Sequence, residues 1–196
     1  MIRVTLNLHP ALELTDQLFY ELCQENRQLR LERTAKGELI IMPTTDGETG
    51  HRHIEIAFQL QAWSRQTQLG IAFDSSTAFK LPNGAERSPS VAWIRRDRWE
   101  ALTTEQKRRF PPLCPDFVVE LCSNADALST LKEKMQEYIK NGTHLGWLID
   151  PQTQQVEVYR SGRESVTLQN PETLLGEYVL PNFVLDLKPI WLDVAS

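Results

Sequence analysis

The segment Pro115–Pro151, PDFVVELCSNADALSTLKEKMQEYIKNGTHLGWLIDP, decides how this chain folds. Phe117 to Cys122 is almost continuously apolar, as expected of a strand covered on both faces. A tight turn follows it. Leu128, Leu131, Met135, Tyr138 and Ile139 then recur at helical spacing, with Asp126 as a candidate cap and Gly142 as the stop. Leu145 to Asp150 reads as a second strand leaving through Asp150-Pro151, where a turn suffices to explain the pair. Asp116 and Glu120 stand four apart on the first strand and so share one face. An acid in such a strand is costly to bury unless it is paired, protonated or metal-bound, which makes the segment a candidate site.

On the N-terminal side, Thr15 caps a short helix from Asp16 to about Glu25. Leu29–Thr34 and Glu38–Met42 predict a hairpin turning through Ala35-Lys36-Gly37. A long helix is expected from about Gly50 to Gln68, with Ile56, Ala57, Leu60 and Trp63 on one face and Gly70 ending it. Ile71–Asp74, Ala78–Leu81 and Val91–Ile94 read as strands, with Pro82-Asn83-Gly84 as a turn. Arg98–Arg109 has polar helical character and stops at Pro111-Pro112. Beyond the opening segment, Gln155–Tyr159 and Ser165–Leu168 are further strands. No repeat or linker divides the chain. The expectation is a single α/β (α+β) domain with a mixed central sheet flanked by helices.

The 196 residues suit one domain, and a hydrophobic fraction of 41% supplies a core. No apolar run approaches the roughly 20 residues of a membrane helix, and MIRVTLNLHPALELTD lacks the basic start and apolar centre of a signal peptide. Cys23, Cys114 and Cys122 are odd in number and form no CxxC pair, so a reducing cytoplasm is the expected compartment. The net charge of −5 argues against promiscuous DNA binding, since affinity for DNA rests largely on Lys and Arg. A basic group is available in Arg87, Arg95, Arg96, Arg98, Lys107, Arg108 and Arg109, although interspersed Asp97, Glu100 and Glu105 suit an ordinary solvated surface.

Several motifs together carry a family resemblance: PDFVVEL, the KM-EY-NG run from Lys134 to Gly142, and GWLIDP; GETG around Glu48; FDSSTAFKLPNGAERSP before Ser90; and LPNFVLDL near the end. In this order, over nearly the whole chain, they resemble the Uma-type restriction endonucleases, a cyanobacteria-rich family similar to PD-(D/E)XK nucleases. The resemblance implies a restriction-endonuclease-like fold and hydrolysis of DNA with carboxylate-held Mg2+ (or Mn2+). Such hydrolysis needs a positioned water, neutralised phosphoryl oxygens and a stabilised leaving group, which the metal ions can supply. A lysine beside the metal orients the water or stabilises developing charge.

Carried onto this chain, the pattern names Glu48, Ser90, Glu120 and Lys134, with Glu48 and Glu120 as metal ligands. Each has a structural alternative. Glu48 is also a first-turn acid favoured by a helix dipole, Glu120 a buried acid paired with a cation, and Lys134 a lysine laying its stem over the core. Ser90 departs from the family: in Ser88-Pro89-Ser90-Val91-Ala92-Trp93 a neutral hydroxyl stands where S-P-D-V-A-W has an acid. Cys122 stands where a D/E-x-K motif from Glu120 would place lysine, and Asn124 replaces a usual proline. Asp116 reads as strand-entry structure. Three function classes therefore stay open: a metal-dependent endonuclease, an inactive descendant binding nucleic acid or a protein partner, and a stability-only or transposon-associated accessory protein. A homodimer is expected, because cutting a duplex needs two sites; Phe183, Val184, Leu185 and Trp191 either contribute to it or close the core.

Other signals have plainer readings. His51 and His53, two apart on a helix, face away from each other, and His51 suits a surface pair with Glu55. A Cys122–His144 nucleophile has no local support, and the tryptophans, including Trp93, Trp147 and Trp191, are expected in the core or an interface. No Walker or dinucleotide-binding glycine motif is present.

Overall fold

A computed structural model of the chain describes residues 3–123 and 127–192. In chain order its elements are β1 (Val4–Leu6), α1 (Asp16–Glu25), β2 (Arg30–Arg33), β3 (Leu39–Met42), α2 (Gly47–Thr67), β4 (Gly70–Asp74), β5 (Phe79–Lys80), β6 (Glu86–Arg87) and β7 (Val91–Arg95). Then come α3 (Arg96–Glu100), α4 (Thr104–Arg108), β8 (Phe117–Leu121), α5 (Leu128–Lys140), β9 (Leu145–Asp150), β10 (Gln155–Arg160), β11 (Val166–Gln169), β12 (Thr173–Leu175), β13 (Val184–Asp186) and α6 (Lys188–Trp191). A six-stranded sheet runs β11-β10-β9-β8-β7-β4, and a five-stranded sheet runs β1-β3-β2-β6-β5. The opening segment forms the parallel β8–β9 pair of the larger sheet, bridged by α5.

Strand alternation builds the layers. Phe117, Val119 and Leu121 of β8 face α2 and join Ile56, Leu60, Trp93 and Trp147 in one core. Val118 faces the other way, into a second core with Leu131, Met135 and Tyr138 of α5. The larger sheet thus carries a helix on each face, as expected of a mixed sheet flanked by helices. A third core joins Phe19 of α1 to Leu31 and Leu39 of the hairpin. Phe183 and Leu185 are buried in the first core, so this part of the tail closes it. The indoles behave likewise: Trp93 and Trp147 are buried, and Trp191 donates to the Pro171 carbonyl at 2.8 Å. No helix among the described residues is long and apolar enough to cross a membrane.

Four details differ from the sequence reading. The hairpin belongs to a separate sheet, completed by β1, β6 and β5, which periodicity did not reveal. α2 begins at Gly47 because the Asp46 side chain accepts from Thr49 N at 2.8 Å, capping the helix earlier. Arg98–Arg109 spans parts of two short helices, with Thr103 and Gln106 forming a capping box that starts the second afresh. The helix ends on Gln68 at φ 55°, not on Gly70. Gly70 instead permits close packing: a Cβ there would lie 2.3 Å from the Trp93 ring and from the Ile94 carbonyl. The Asp126 cap and the Asn124 turn lie outside the described residues.

Gly70→Ala is therefore expected to destabilise the protein by about 1–3 kcal/mol through overpacking. Gly50→Ala, on α2 with open space around it, should be neutral or stabilise by up to about 1 kcal/mol. Urea denaturation of both variants checks the contrast.

Candidate functional site

Glu120 is the one charged residue within β8, and alternation turns it with Val118 toward α5. β7 pairs with β8 as Val91↔Val119, Ala92↔Val118 and Trp93↔Phe117. One further step sets Ser90 opposite Glu120 on the same face, and the Ser90 Oγ accepts from Leu121 N at 3.1 Å. Lys134 lies on the inner side of α5 with Leu131, Met135 and Tyr138. Its buried ammonium reaches Glu120 Oε1 at 2.8 Å, Glu32 Oε1 at 2.7 Å and the Ser88 carbonyl at 3.3 Å. An ammonium has three N–H donors, and here each has an acceptor.

Further groups complete the network. The Tyr138 hydroxyl donates to Glu120 Oε1 at 3.1 Å. Glu32 also accepts from Ser88 N at 2.9 Å and from Arg87 at 3.2 Å, and Arg87 donates to Glu137 at 2.6 Å. Burial works to raise the Glu32 pKa, but Lys134 and Arg87 overcome it and hold that carboxyl at about 2. Burial raises the Glu120 pKa above the ordinary carboxylate value; Lys134 opposes the shift and the neighbouring Glu32 charge reinforces it. Lys134 and Arg87 face three carboxylates, those of Glu32, Glu120 and Glu137, so a proton on Glu120 would balance the cluster. A cavity of about 260 Å3 opens here, lined by Ser88, Ser90, Glu120 and Lys134 together with Arg30, Asp46, Thr49 and His53.

Three of the four residues named from the sequence thus meet: Ser90, Glu120 and Lys134. Glu48 does not join them. Its half-exposed carboxylate pairs with Arg52 one helical turn along, at 3.3 Å, and it does not line the cavity. The acid that lines the cavity from this end of α2 is Asp46, the exposed cap of the earlier helix start. Both its oxygens accept from Thr49, at 2.8 and 3.0 Å. Lys134 is not an outward-reaching lysine, since its ammonium is as buried as its stem.

The basic group disperses. Arg87 is buried between Glu32 and Glu137. Arg95, Arg96 and Arg98 lie at the far end of β7 from Ser90, paired with Asp97, Glu100 and Asp116. Arg109 stacks over Tyr20 at 4.1 Å. Asp116 is fully buried at the start of β8, accepting from Arg95 N at 2.9 Å, which is the strand-entry role expected of it. Cys122 and His144 sit at opposite ends of the β8–β9 pair, so no thiol–imidazole couple exists. His53 lines the cavity while His51 is exposed.

Glu32 is the central group that sequence reasoning missed. In Arg30-Leu31-Glu32-Arg33 the alternation marks Leu31 as inward, so Glu32 reads as a solvent-facing hairpin residue. Only the packing of that hairpin face against α5 buries it. The donor set of this cavity does not fit a divalent cation. Among the described residues no three His, Cys, Asp or Glu side chains converge as a metal site. Glu32 is neutralised by two cations, position 90 offers a hydroxyl, and Mg2+ favours carboxylate oxygens in near-octahedral array.

Lys134→Met would strand two buried carboxylates and is expected to cost about 3–5 kcal/mol at neutral pH. That deficit should shrink in acid, as Glu120, with its raised pKa, takes up a proton first. The depressed Glu32 pKa contributes stability that is present above the ordinary value of 4.5 and lost as pH falls toward about 2. Glu32→Gln should therefore be less stable than the wild type at neutral pH, with the gap closing over that interval. Urea unfolding across pH measures both effects.

Comparison with known proteins agrees with this architecture. A crystal structure described as a putative nuclease belonging to DUF820, from Anabaena variabilis, superposes with a TM-score of 0.70 at 19% identity. The match covers 82% of this chain and 89% of that one, and at this identity it speaks for the fold. No protein of curated function matches the chain. The family described as Uma2, putative restriction endonuclease, matches residues 16–188. With nearly its whole length inside that match, this chain belongs to the Uma2 family, the family described as putative restriction endonuclease.

Proposed function

We propose that this protein is a DNA-directed member of the nuclease family whose hydrolytic centre is degenerate, so that it does not cleave phosphodiesters with Mg2+ or Mn2+ as the chain stands. One observation carries the reading: Ser90 stands opposite Glu120, where the family pattern calls for a second acid, and Lys134 ties the remaining carboxylates together. The family supplies the substrate class, DNA. The silence follows from how the lining acids are held: Glu120 is paired with Lys134, Asp46 accepts from Thr49 with both oxygens, and position 90 offers a hydroxyl, a poor donor set for a divalent ion. What persists is a scaffold able to hold nucleic acid, with the buried cluster maintaining its shape.

The same geometry makes the loss reversible. Side chains directly opposite on antiparallel strands have Cβ atoms about 4.5–5.5 Å apart, so Ser90→Asp would set two carboxylates on one face of the sheet. That variant is expected to bind Mn2+, seen as a rise in unfolding free energy of about 2.7 kcal/mol at 100-fold excess over Kd. It should also nick supercoiled DNA at least about 10-fold faster than the wild type, with the gain erased by adding Glu120→Gln. Mn2+-dependent cleavage by the wild type that disappears in Glu120→Gln would overturn the degenerate reading. A Ser90→Asp variant that folds but neither binds Mn2+ nor cuts would overturn the geometry behind it.

A further inference from the structure

We infer that α2 and the edge strand β4 form a self-association surface, on which a second copy of this chain docks about a two-fold axis level with residue 60. α2 buries Ile56, Leu60 and Ser64 against the sheet. Away from that buried side, Ile54, Phe58, Gln61, Ala62 and Arg65 recur at helical spacing. Ile54 is 62% exposed and Phe58 67% exposed, although both are apolar. The stripe forms one wall of a groove of about 710 Å3, and Ala72 and Phe73 of β4 form the other. β4 is the last strand of its sheet, so the apolar wall runs to an open edge. Contiguous exposed apolar surface of this kind marks an interaction site.

The order of residues along the helix identifies the occupant. When two copies of one helix pack antiparallel about a dyad, residues equally far from the axis on either side meet. Phe58 and Ala62 each lie two positions from residue 60, and Glu55 and Arg65 each lie five. One axis therefore sets each Phe58 against the partner's Ala62, a large side chain entering the groove beside a small one. It also sets each Glu55 against the partner's Arg65. All four residues line the same groove. A parallel arrangement would oppose Phe58 with Phe58 and Glu55 with Glu55, which shape and charge both disfavour. An apolar centre flanked by two symmetric ion pairs is the arrangement of an isologous dimer interface.

Sedimentation equilibrium of the wild type at micromolar concentration is expected to give the mass of two chains. Phe58→Asp should give the mass of one chain with an unchanged circular dichroism spectrum, as the residue is exposed. Glu55→Arg and Arg65→Glu should each weaken dimerisation about 10-fold or more through like-charge contacts. The double variant Glu55→Arg/Arg65→Glu should recover it, because the exchanged charges again face their opposites. A monomeric wild type, a dimer that survives Phe58→Asp, or single charge reversals that the double variant does not rescue would each overturn the assignment. None of these residues lines the Glu120 cavity, so the outcome is independent of the nuclease reading.

Discussion

Burying the Lys134 ammonium constrains the rest of the site. It sits on α5, yet its acceptors come from both sheets: Glu32 from the five-stranded sheet, Glu120 from the six-stranded one. A buried charge is tolerated only when paired and hydrogen-bonded. The hairpin must therefore stay docked against the larger sheet, with α5 held between them. Arg87 extends the same logic, coupling Glu32 on one side to Glu137 on the other. The cluster is thus a joint between layers, and its Glu120 and Lys134 also line the cavity.

That double role bears on function. In a carboxylate-rich nuclease centre the acids gather around a metal. Here the nearest cation to Glu120 belongs to the protein, and the hydroxyl of Ser90 stands where a second acid would complete the donor set. The cluster is satisfied without any ion, and one proton on Glu120 would bring its charge to balance. Internal pairing of this kind accords with the proposed degenerate reading, in which the scaffold is retained for binding. On that reading a short route back remains, since Ser90, the residue just before β7, stands opposite Glu120.

Much of the architecture was readable because its signals are local. The apolar run at Phe117, the helical stripe from Leu128 to Ile139 and the second strand at Leu145 each follow from spacing alone. Helix starts were less readable. Asp46 and Gly47 lie in a polar stretch where several residues can cap, and only the hydrogen bond to Thr49 selects one. That three-residue difference decides which acid lines the cavity, Asp46 instead of Glu48. The basic group was legible only as the ordinary surface that its interspersed acids suited, since proximity in sequence said nothing about which end of β7 each arginine occupies.

By itself the sequence determined the strand–helix–strand unit, the two-faced burial of β8 and the presence of Glu120, Lys134 and Ser90 in family motifs. These are properties of periodicity and residue chemistry within a few turns or strand steps. Only the tertiary structure decided that Glu32 is buried, that Lys134 bridges two sheets, and that Glu48 and the Arg95–Arg98 group stand apart from the site. Such facts depend on how a hairpin face meets a helix about a hundred residues away, and no local pattern in a chain records which of its charged residues another layer will cover.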